Sequence, residues 1–256
     1  MNIYDLCFWV GRIVIFPLIR PLQLEKVVRL CHYYCKNPDF RQCLLLKMEK
    51  CPVLIYKLFK NGIFTFGEIE PVLMNHDNYI LYYYFRREIN DFDNFIHQHI
   101  KPNDIDEEFL KNDNDIDQMI CYGFLPSSVE YCLKYDDIVV FRNINILDRM
   151  NVIWSPFEWS AKPNSYDLLS VSCFYGSVQC FKFLLMNGYN INDNVRSDMV
   201  FSGSHTIFQL CNVNNHVGFE MMCNASKYFR LSTLDYFIEY GADINAKNSN
   251  INFLRV

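Results

Sequence analysis

Three clusters in this 256-residue chain combine residue types that bind metals. Asp113, Asp115 and Asp117 alternate like the opening of an EF-hand calcium loop, which next requires glycine at its sixth position and a bidentate glutamate at its twelfth. The chain has Gln118 and Phe124 there, so the aspartates read as the solvated acidic first turn of a helix. Cys31 and His32, with Cys35, Cys43 and Cys51 beyond, carry zinc-ligand chemistry. They lack the second closely spaced pair of a structural zinc site, and Cys31 and Cys35 already continue an apolar helical stripe. His97 and His99 stand two apart and diverge on a helix. No P-loop, nucleophile elbow or dinucleotide fingerprint is present. The expectation is a chain with no catalytic residues, no cofactor and no metal.

Composition places these residues in a folded protein. Apolar residues make up 51% and aromatics 16%, with 21% charged residues of both signs. A net charge of −5 argues against nucleic acid as a partner. Eleven cysteines is an odd number, and Cys121, Cys132, Cys173, Cys180 and Cys211 fall among apolar residues at helical spacing, as free thiols do in packed interiors. An intracellular, cytoplasmic protein is expected. The apolar start from Ile3 to Ile19 resembles a signal peptide or anchor, yet it lacks a basic flank and a cleavage site, and Asp5, Arg12 and Pro17 interrupt it. It reads as a buried helix, with a membrane anchor over residues 1–20 as the rival reading.

The fold class expected is all-α. Over residues 1–103, Leu24, Val27, Val28, Cys31 and Cys35 make one helical stripe, Leu54, Leu58 and Phe59 a second, and Phe92, Phe95, Ile96 and His99 a third. Residues 104–256 repeat internally. Gly176 to Asn192 lies over Phe229 to Asn245, matching Phe181 to Leu234, Leu184 to Phe237, Gly188 to Gly241 and Asn192 to Asn245. Each glycine stands where a left-handed helix cap is wanted. Val129, Leu169 and Phe208 follow at intervals of 40 and 39 residues, and 14 extra residues between the helices of the third unit read as an insertion loop or an extra turn of helix.

The run Gly241-Ala242-Asp243-Ile244-Asn245, after helix, turn and helix, resembles the ankyrin repeat. The fuller pattern resembles a large protist ankyrin family in which an uncharacterised helical region precedes the repeats. The resemblance implies an α-solenoid with units near residues 104–124, 127–148, 167–193 and 204–248, Cys173 and Cys180 as close-packing residues, and binding of a protein partner in place of chemistry. Thr206 to Gln209 departs from the usual Thr-Pro-Leu-His by losing the proline and histidine.

Two groups of residues are candidates for binding. Trp154, Phe157 and Trp159 gather around Pro156 between repeat units, either folded back as cover or presented as an aromatic anchor. The polar set is Asn192, Asp193, Asn194 and Arg196 in one inter-repeat finger, and Asn245 and Lys247 in the next. The last repeat has no polar cap after it, which predicts a C-terminal end that frays, self-associates or belongs to a longer array. A truncated member with no retained function is the remaining alternative.

Overall fold

The computed structural model describes residues 21–46, 52–74, 79–99, 112–145, 151–158, 162–212, 219–227 and 231–241. Among them are fifteen helices and one isolated bridge, so the chain is all-α. It divides into two compact units, the first comprising Met1–Pro126 with Trp154–Ala161, the second Ser127–Ile153 with Lys162–Val256.

The first unit begins with α1 (Pro21–Tyr34), α2 (Pro38–Leu45) and α3 (Pro52–Lys60). Each opens on proline, whose fixed φ suits the first helical position and whose missing N–H is not needed there. Then come α4 (Phe66–Leu73), α5 (Tyr79–Tyr84), α6 (Phe92–His99) and α7 (Asp113–Tyr122). The stripe Leu24, Val27, Val28, Cys31 and Cys35 is buried in a core shared with Phe40, Leu54, Leu58 and Phe85. Phe85 is its aromatic hub, with Tyr56, Phe59 and Phe66 rings 5.6 to 6.4 Å away. Arg41 donates two hydrogen bonds to Glu68 (2.6 and 2.7 Å), and Glu68 also accepts the Thr65 N–H at the start of α4. Helix α7, which the repeat spacing assigns to a first repeat, gives Ile116, Met119 and Ile120 to this core.

The second unit is a succession of helix pairs. The pairs are α8 (Val129–Tyr135) with α9 (Ile138–Phe141), α10 (Leu168–Tyr175) with α11 (Val178–Met186), α12 (Asp193–Ser202) with α13 (His205–Leu210), and α14 (Phe219–Lys227) with α15 (Leu231–Glu239). First helices pack on first helices, α8 on α10, α10 on α12 and α12 on α14; second helices do the same, α9 on α11 and α11 on α13. The turns of the first three pairs pivot on a left-handed residue, Asp136 (φ 58), Gly176 (φ 72) and Gly203 (φ 60). Five residues after each comes a phenylalanine, Phe141, Phe181 and Phe208, and all three are fully buried.

This pairing corrects the register expected for the third unit. Thr206 to Gln209 belongs to the second helix of a pair, not to a first helix aligned with Leu169. The first helix is α12, in the segment expected to be a finger. Asn192 accepts the Val195 N–H (2.9 Å) as its N-cap, and Val195, Met199 and Val200 give it a buried face. The 14 extra residues likewise include the helix α14, the partner of α15.

At Gly176 a Cβ would stand 3.0 Å from the Ser202 carbonyl oxygen. Gly176→Ala therefore meets both left-handed strain and the C-terminal end of α12, and should destabilise the second unit by about 1–3 kcal/mol. At Gly203 the nearest atom to an added Cβ is 4.0 Å away, so Gly203→Ala should cost less. Urea unfolding of the two variants side by side checks the order.

Candidate functional site

The aromatic segment is interior. Phe157 is 0% exposed, 5.9 Å from the Tyr84 ring, and belongs to the core of the first unit. Its N–H bonds Ser155 Oγ (3.1 Å), and Ser155 Oγ donates to Met119 Sδ (3.8 Å). Trp154 is half-buried, edge-on to Phe124 at 5.6 Å. The segment packs on the core of the first unit, and Phe157 has no surface left for a partner. Trp159 lies outside the described residues. In the second unit, Asn151 and Asp167 form the antiparallel bridge that joins the flanks of this excursion, with Val152 N–H on Tyr166 O at 2.7 Å.

The polar set forms the first turn of α12. Asn192, Asp193 and Asn194 are exposed, and Asp193 pairs with Arg196 Nη1 at 3.0 Å. Asn245 and Lys247 lie outside the described residues. The two candidate groups sit in different units.

Two of the metal-like motifs are described in part, Cys51 lying outside the described residues. Asn112 caps α7 through the Asn114 N–H, which places Asp113 and Asp115 in its acidic first turn. Asp113 and Asp117 also receive the buried Arg86 at 3.1 and 2.7 Å, a partner no local spacing reveals. Cys31 and Cys35 are core residues, and His32 is exposed between them. His97 and His99 side chains lie outside what is described.

Sequence spacing did not single out the polar groups that join the helix pairs, of which Glu130 and Asp198 are buried and Asp136 is half-buried. Asp136 reaches from the first pair to cap α11, accepting the Gln179 and Cys180 N–H groups at 3.0 Å. Glu130 accepts the Ile153 N–H at 3.0 Å. Asp198, 0% exposed, accepts from Asn164 N (2.9 Å) and Asn164 Nδ2 (2.7 Å), and pins the loop before α10 onto α12. Burial pushes its carboxyl up to about 7, against the opposing hydrogen bonds from Asn164 and Ser165. Cys132 is raised by burial to about 11, and burial also holds Cys173 and Cys180 well above the ordinary thiol range, so all three are protonated and poorly nucleophilic at neutral pH. One sequence signal was available: Gly176-Ser177 and Gly203-Ser204 each precede a phenylalanine by the same interval, which marks two equivalent turns.

No protein-family model, curated protein or solved structure matches this chain. Among the described residues, no helix is long and apolar enough to cross a membrane. Residues 1–20, where an anchor was the rival reading, lie outside them.

Proposed function

We propose that this chain is a non-catalytic protein-binding module whose second unit is an ankyrin-type solenoid of divergent helix pairs. The supporting observation is the shared register of the pairs, with first helix on first helix, second on second, and a left-handed turn residue five positions before a buried phenylalanine. Each pair leaves apolar surface that its neighbour covers, so the pairs stack and present side chains at fixed spacing. A preformed surface loses little conformational entropy when a partner docks. Buried, protonated thiols at the pair junctions suit packing, not nucleophilic chemistry. The free thiols suit a reducing compartment inside the cell.

The binding face is assigned to the start of α12, where Asp193 and Asn194 are exposed. Asp193→Lys with Asn194→Lys should weaken a genuine protein partner about tenfold or more, chiefly through charge mismatch. Affinity measured with the purified partner, together with hydrogen exchange of the complex, tests this. Unchanged affinity, or protection confined to the first unit, would overturn it.

A further inference from the structure

We propose that α1 is a membrane-surface helix, whose exposed basic face docks the first unit on an anionic lipid bilayer without crossing it. Charge is divided unevenly along the chain. Residues 1–60 hold ten of the 24 Lys and Arg residues and four of the 29 Asp and Glu residues, a net charge of +6, against −11 for residues 61–256. Such asymmetry points to an anionic partner for the basic part, which the overall charge of −5 conceals.

Helix α1 gathers this charge on one side. Its stripe from Leu24 to Cys35 is committed to the core, and the opposite face carries Lys26, Arg29, Leu30 and Tyr33, all exposed, with Lys36 in the turn that follows. Glu25 is the helix's only acidic residue. None of the ion pairs among the described residues takes up Lys26, Arg29 or Lys36, so these three charges face outward unneutralised. Lys36 Nζ stands 5.8 Å from the centre of the Tyr33 ring, which places a cation and an aromatic side by side at the surface.

Two apolar side chains decide which anionic partner fits. Leu30 is 43% and Tyr33 65% exposed, among the cations. A nucleic-acid backbone gives Leu30 nothing to bury against. At a bilayer interface, leucine enters the acyl boundary, tyrosine settles at headgroup level, and the lysine and arginine stems lie along the apolar zone with their charges on lipid phosphates. The sequence before α1 is of the same kind, since residues 3–19 are mainly apolar, with Trp9 and Phe16, and end on Arg20. Helix α1 has 14 residues, too few to span a hydrocarbon core, and its other face is already used. Exposed apolar residues in the second unit lack the cations: Leu231 and Ile238 on α15 stand with exposed Asp235 and Glu239, carboxylates that an anionic surface repels. The docking is a property of the first unit and does not depend on the protein-binding face assigned to α12.

The test sediments the full chain with vesicles of phosphatidylcholine alone and of phosphatidylcholine carrying phosphatidylserine, at low and high salt, beside a duplex DNA and a duplex RNA. Binding to the anionic vesicles should be about tenfold or more tighter than to the neutral ones, and should weaken as salt rises. Lys26→Glu with Arg29→Glu should reduce it about tenfold or more. Leu30→Ser with Tyr33→Ser should reduce it about threefold or more while keeping the preference for anionic lipid. All four positions are exposed, so the helical circular dichroism should not change; if the charge reversal does not fold, Lys26→Gln with Arg29→Gln takes its place. Absence of vesicle binding, equal binding to both vesicles, or wild-type binding by either double variant would overturn the proposal. So would tighter binding to the duplex DNA or RNA than to the anionic vesicles.

Discussion

Phe208→Ala should destabilise the second unit by about 3–5 kcal/mol, the usual cost of emptying a fully buried aromatic site. Phe208 is 0% exposed and lies among Tyr236 (5.0 Å), Phe237 (5.6 Å) and His205 (6.1 Å), so α13 and α15 both lose contacts when it is removed. The helix pairs contact mainly their neighbours, so the loss should appear as faster amide exchange in α12 to α15, with a smaller effect in α8 and α9. Amide exchange resolves this where a single melting temperature would not, because a chain of two units need not unfold in one step. Leu231→Ala, at a 67% exposed position on the same α15, should cost under about 0.5 kcal/mol. A Phe208→Ala loss below about 1 kcal/mol would mean that the third pair is not a packed unit.

The second unit should also become more stable as pH is lowered from 8 to 5, by about 2–3 kcal/mol, because of Asp198. Its carboxyl titrates near 7 when folded, against an ordinary value of 3.8. Between those values the native state holds a proton that the unfolded chain has released. Stability from this group is therefore complete below pH 4 and is lost as pH rises through 7, at about 1.4 kcal/mol per unit. The cause is chiefly desolvation, since no described ion pair matches Asp198 with a cation; nearby Asp167 adds to it, and the Asn164 hydrogen bonds oppose it without cancelling it. Glu68 in the first unit acts with the opposite sign. The Arg41 guanidinium holds it down to about 2, so its contribution is present above pH 4.5 and fades below. Denaturant unfolding of wild type and Asp198→Asn at pH 5, 6, 7 and 8 checks this. The variant should be nearly flat and the more stable of the two at pH 8; parallel profiles would show that Asp198 is not the titrating group.

Much of the first unit was legible because its helices bury one face at regular spacing. The stripe from Leu24 to Cys35 and the capped acidic start of α7 required only local rules, as did the positive φ of Gly188 and Gly241 after their helices. Helix α12 was not, because Asn192, Asp193 and Asn194 suit a polar loop and a helix N-terminus equally well. Its stripe of Val195, Met199 and Val200 matters only once α10 and α14 are there to cover it. Phe157 was ambiguous for a related reason: an aromatic beside proline reads the same whether it is presented or buried.

By itself, then, the sequence determined the all-α class, the glycines that end helices and the buried positions of Cys132, Cys173, Cys180 and Cys211, although Cys121, read in the same way, is exposed, because these follow from side-chain periodicity and the conformational freedom of a few turn residues. Tertiary structure decided which helices pair, that Phe157 fills the first core, and that Asp198 and Arg86 find their partners. Those outcomes depend on partners 27 to 34 residues away for Arg86 and Asp198, and on the loss of water around buried polar groups, which local spacing does not encode.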